Sequence, residues 1–153
     1  MVAPPLFKGA NLMKLQGFLA VLGIPITFLF GEWSPFMNVL LVFIALDTLT
    51  GFFKALVNRQ LRSRNMSLGI LRKAGIFLVL IIGNMIDVVL FDSVPVAKSA
   101  LIFFYIGMEG ISIVENLHEL GIPIPDFIGR YLETIKEKGE ALEETEQADP
   151  KNE

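Results

Sequence analysis

Residues 41–87, LVFIALDTLTGFFKALVNRQLRSRNMSLGILRKAGIFLVLIIGNMID, constrain this chain more than any other stretch. Two apolar runs flank a short loop that carries Arg59, Arg62, Arg64, Arg72 and Lys73 and no acid. Asp47 lies deep in the first run and Asp87 deep in the second. The order apolar, basic, apolar is that of two membrane helices with their connecting loop in the cytoplasm: bilayer thickness sets the length of the runs, and the Lys/Arg bias holds the loop inside. Composition agrees. Of the residues, 53% are hydrophobic and 19% charged, where a soluble domain carries about 25% charge. Thirteen Phe against two Tyr and one Trp suit a lipid-facing surface. The net charge of −3 hides a split, with bases near the middle loop and acids in the tail.

Further apolar runs extend the pattern in both directions. Residues 15–30 follow Lys14 and, at ~1.5 Å per residue, reach about 24 Å, a short span that flanking residues can complete. Gly23 and Pro25 interrupt it, which membrane helices tolerate. Lys8 and Lys14 would also suit the basic start of a cleaved signal peptide, but no small-x-small site follows Phe30. GEWSP (31–35) is a turn with Trp33 at interface depth. The second run covers 36–57, the basic loop 58–73, and the third run 74–91, with Ser67 as its N-cap. After a turn at 92–95 the fourth run covers 96 to about 117, with Lys98 close enough to its start to snorkel outward. Gly121, Pro123 and Pro125 end that helix. Asp126 then caps an amphipathic helix with Phe127, Ile128, Tyr131, Leu132 and Ile135 on one side and Arg130, Glu133, Lys136 and Glu137 opposite. It lies on the membrane surface or packs on the protein itself.

The expectation is an all-α integral membrane protein. It has an N-terminal lead (1–13), a transmembrane domain (14–120), a short cytoplasmic interfacial helix (121–138) and a disordered acidic tail (139–153). Four helices span, or three if the first run lies along the interface. The 31–35 and 92–95 turns contain no Lys or Arg. With the basic loop inside, both turns are therefore outside and both termini inside.

Ionisable groups within lipid cost about 2.5–3.5 kcal/mol each at mid-depth, so those present are informative. Asp47, Thr50, Gly51, Lys54 and Asn58 recur on one helical face. Gly83, Asn84 and Asp87 cluster on the third run; Glu109, Ser112 and Asn116 share a face of the fourth, with Glu115 near its end. Either these stripes meet inside a bundle, with Asp47 paired to Lys54 or protonated, or some of them face other subunits and later face water. Asp47, Gly51 and Ala55 form a small strip that permits close helix approach.

The chain has no Cys and one His, which excludes disulfides, cysteine nucleophiles and multi-histidine metal sites. There is no P-loop, Gly-rich nucleotide motif or HExxH, so neither an enzyme nor a cofactor or metal is expected. His118, between Glu115 and Glu119, reads as a capping or interface residue. The basic loop between two spans serves orientation and anionic-lipid contact rather than nucleic acid.

Residues 46–73, LDTLTGFFKALVNRQLRSRNMSLGILRK, resemble the central signature of the toxin-secretion/phage-lysis holin family. So do residues 104–133, FYIGMEGISIVENLHELGIPIPDFIGRYLE. The matching features are Asp47, Thr50, Gly51, Lys54, Ala55, Ser67, Gly69 and Lys73, then Glu109, Ser112, Glu115, Asn116, Gly121, Pro123 and Pro125. The likeness covers about residues 15–135. It implies a phage- or prophage-encoded protein of the bacterial inner membrane that accumulates harmlessly and then forms homo-oligomers. These open large lesions and release a cell-wall hydrolase (endolysin) or, in some relatives, a toxin. Some holins are made from two starts, the longer product inhibiting, and Met13 is where a second start would fall. A small ion channel or transporter subunit, or an antiholin-like scaffold, are the competing functions.

Overall fold

The computed structural model describes residues 26–59 and 63–147. The lead, most of the first apolar run, Met13, Arg62 and residues 148–153 lie outside the described residues. The chain divides after Trp33 into two units. Of the first, residues 26–30 are helical, and Gly31 takes the left-handed conformation (φ 64°).

The second unit is wholly helical among its described residues: α1 (Pro35–Val57), α2 (Ser63–Leu90), α3 (Val96–Glu119) and α4 (Asp126–Gln147). Among the described residues, three stretches are long and apolar enough to cross a membrane: Pro35–Val57, Ser67–Leu90 and Val96–Glu119. α1 starts where the expected turn ends. Ser34 Oγ accepts the Met37 N–H at 3.4 Å, and Pro35 occupies the first turn, where its missing N–H costs nothing. α2 begins at Ser63, so Ser67 lies inside the helix rather than capping it: Arg64, Asn65 and Met66 contain no breaker, and the helix runs on toward the loop.

Between α2 and α3 the backbone reverses through Asp92 (φ 48°) and Ser93 (φ 70°). Pro95, at the cap position of α3, makes no side-chain hydrogen bond. Asp87 of α2 supplies the cap instead, its carboxylate accepting the N–H groups of Ala97 (2.7 Å) and Lys98 (3.0 Å). Lys98 is therefore drawn inward. It is 3% exposed, where the sequence reads as an outward-snorkelling lysine. α3 ends in a Schellman motif: Gly121 (φ 77°) donates to His118 O and Ile122 donates to Leu117 O.

α3 is the centre of the unit. It packs most extensively on α4, then on α1 and α2, whereas α1 and α2 barely meet. α3 is also the most buried of the three apolar stretches, at 39% against 28% for α2 and 11% for α1. Met37, Leu40, Ile76, Leu80, Ala100, Ile102, Ile106 and Leu132 form the core. Val42, Leu49, Phe53, Leu78, Ile82 and Val89 are exposed, as a lipid-facing surface requires.

α4 departs from the expected short interfacial helix in two ways. It continues past Gly139, where the Glu-rich sequence reads as disordered, to Gln147. It also folds back along α3. Ile128, Leu132, Ile135, Gly139 and Leu142 form a buried or half-buried stripe at spacings of four and three, with Gly129 and Lys136 half-buried beside it. Phe127 and Tyr131, expected in that stripe, are exposed.

Candidate functional site

Polar residues from each of the three spans converge on one seam between α1, α2 and α3. Lys73 reaches in from α2 and bridges two carboxylates, Asp47 of α1 (Nζ to Oδ2 2.8 Å) and Glu109 of α3. All three side chains are largely buried, at 17%, 14% and 11% exposure, so the two attractions act where water screens them little. Next to this triad, Asn116 of α3 donates to Asp47 Oδ1 (2.9 Å) and Thr50 Oγ1 (3.3 Å). Its own oxygen accepts from Lys54 Nζ (3.1 Å), and Lys54 also pairs with Glu119 (2.8 Å). Thr50 completes its bonding by donating to Leu46 O (2.9 Å). The result is a continuous chain, Glu109–Lys73–Asp47–Asn116–Lys54–Glu119, in which acid and base alternate around one amide.

Local sequence explains each placement. Asp47, Thr50, Gly51 and Lys54 share one face of α1, and that face meets α3. A Cβ on Gly51 would stand 3.6 Å from Asn116 Nδ2, in ordinary van der Waals contact, so the amide lies directly over this part of α1. Every buried side-chain nitrogen and oxygen among the described residues has a hydrogen-bond partner. In hydrocarbon, where an unmet polar group has no water to turn to, that closure allows the spans to carry charge at all.

The expected pairing of Asp47 with Lys54 is not the one observed. Lys54 stands two turns along the same helix and points to Asn116 and Glu119, while Asp47 takes its charge partner from α2. Lys73, counted with the basic loop by sequence, belongs to the seam. The signal that finds it is charge balance: two mid-span acids need a cation, and Lys73 sits at the mouth of the third apolar run. Arg59 and Arg72 are exposed, and Arg64 lies in the first turn of α2. Asp87 stands apart from the seam as the α3 cap. Ser112 is half-buried on α3. Glu115 is exposed at the α3–α4 elbow, where it lines a cavity of about 450 Å³ with His118, Asp126, Arg130 and Glu133. Among the described residues no cluster of three or more His, Cys, Asp or Glu is placed to hold a metal ion.

Comparison with known proteins points one way. Residues 25–137 match the bacteriophage holin family. A protein of Bacillus phage phi105 named a probable holin is 40% identical over 109 residues, covering 71% of this chain and 79% of that one. An uncharacterised protein of Clostridium perfringens is 39% identical over 117 residues (76% of this chain, 87% of that one). An uncharacterised protein of Halalkalibacterium halodurans is 38% identical over 127 residues (80% and 93%). No solved structure matches the chain.

Proposed function

The chain belongs to the bacteriophage holin family, and from that premise we propose that it is a timed, lesion-forming protein of the bacterial inner membrane. The match across residues 25–137, which takes in all three described spans, carries this reading. Copies accumulate with the basic loop and the N-terminus in the cytoplasm and with the first apolar run as a fourth span; α4, folded back along α3, carries its C-terminal end away from the loop rather than holding it in the cytoplasm as the sequence suggests. They then oligomerise into openings wide enough for an endolysin, or a toxin, to leave.

The ion-paired seam suits the quiet phase. With Asp47 and Glu109 sharing Lys73, and with Lys54, Asn116 and Glu119 joined, the charged groups of the seam find their partners within a single copy. The same seam acts as a latch on α1 and α2, which have little else between them. Loosening it frees the helices to find partners in other copies.

The test is expression in a bacterium, alone and with an endolysin. Abrupt lysis that requires the endolysin, together with release of trapped protein from vesicles holding the purified chain, supports the reading. Openings of fixed conductance and cation preference would make it a channel. Failure to lyse, combined with delay of another holin, would make it an antiholin-like scaffold.

A further inference from the structure

α4 is a charged helix lying where a membrane span lies. Gly110 packs on Leu132, Gly107 on Lys136, and Gly139 on Ala100 and Phe104, so α4 runs antiparallel to α3. It covers α3 at least from Gly110 to Ala100, roughly 15 Å of depth at the helical rise. The approach is at backbone distance: a Cβ on Gly139 would fall 2.5 Å from Ala100 O and from Phe104 N. Such a fit is a built helix pair, closer than an amphipathic helix resting on lipid needs. Lys136 and Lys138 are held over the rings of Phe104 (5.7 Å) and Phe103 (4.7 Å), and Lys136 reaches Glu140 at 3.7 Å. Arg130, Glu133, Glu137 and Glu140, at spacings of three, four and three, are exposed, Arg130 and Glu133 at the rim of the elbow cavity and Glu140 beside Leu101 and Tyr105 of α3.

A face of that charge cannot border hydrocarbon at the depth of α3. Bordering water, it costs nothing. A single bundle is filled by its own side chains, so water at that depth has to lie between copies. We propose that α4 is the water-facing wall of the assembled lesion: it stays packed on α3 and turns Arg130, Glu133, Glu137 and Glu140 to the lumen. The proposal rests on the lesion-forming reading above and names the segment that lines the opening.

The chain contains no Cys, so introduced pairs report cleanly. Phe103→Cys and Lys138→Cys, tied by a short bifunctional maleimide, lock α4 onto α3. In vesicles loaded with a protein cargo, the locked chain is expected to release the cargo within about twofold of the untied chain. A loss of tenfold or more on tying, with release intact before tying, overturns the proposal, because α4 must then leave α3 for the lesion to open. If this pair does not fold, spin labels at Leu101→Cys and Ala141→Cys in leaking vesicles decide the matter. A short label separation supports the wall; a separation beyond about 27 Å, the rise from Leu101 to the far end of α3, places α4 on the membrane surface and overturns it. Absence of cargo release by the unmodified chain defeats the lesion reading itself, and this proposal with it.

Discussion

Removing the ammonium of Lys73 leaves Asp47 and Glu109 facing each other across the seam with no cation between them. Breaking a buried pair from one side costs about 3–5 kcal/mol, because the remaining charge is stranded. Lys73→Met is therefore expected to lower the unfolding midpoint in detergent sharply, whereas Lys73→Arg keeps the charge and loses less; unfolding curves of the two variants check this. Asp47→Leu acts on the same seam from the other side. It should shift the time of lysis while membrane insertion, read by fractionation, is unchanged, and unaltered timing would count against the latch. Asp87 has a different task. Its carboxylate closes two N–H groups at the start of α3, so Asp87→Ala should cost about 1–2 kcal/mol in the same unfolding experiment without shifting which helices pair.

At the scale of elements, α1 and α3 are legible in the sequence almost residue for residue and α2 at its C-terminal end, because apolar runs of span length bounded by Pro, Gly and short turns leave few alternatives; the start of α2, from Ser63, reads as loop because its residues are polar and basic. Asp47, Thr50, Lys54, Glu109 and Asn116 were also legible as a site, since charge within an apolar run must be met by something. Which charge meets which was not legible: helical spacing relates residues on one helix and says nothing about the neighbour that α2 brings in. Nor was the course of α4. Amphipathic periodicity states that one face is buried and is silent on what buries it, and the glycines that permit backbone contact with α3 look in sequence like helix-weakening residues. Their role is testable. Gly107→Leu puts a side chain into Lys136, whose backbone N would lie 2.7 Å from the new Cβ. It should separate α3 from α4, and a cross-link between Phe103→Cys and Lys138→Cys that forms readily in the parent chain should fall at least several-fold.

For the whole molecule the governing question is which way the spans run. The seam, the elbow after Glu119 and the basic loop gather toward one end of the described spans, and the turn carrying Asp92 and Ser93 lies at the other. Arg59, Arg62, Arg64 and Arg72 stand in or beside the loop. Lys73 is engaged with the two carboxylates and contributes little free charge outside the span. On the proposed orientation the four arginines hold the loop inside, while the acids of α4 weigh little in the balance. In cells, Ser93→Cys should react with a membrane-impermeant maleimide added from outside, and Gln60→Cys should not. Changing all four arginines to Gln leaves the seam intact and removes the bias. Part of the population should then insert inverted, with Gln60→Cys becoming reactive from outside and lysis weakening in proportion. If Gln60→Cys already reacts in the parent chain, the loop and the elbow before α4 face the periplasm, and the cytoplasmic placement of the N-terminus fails with them.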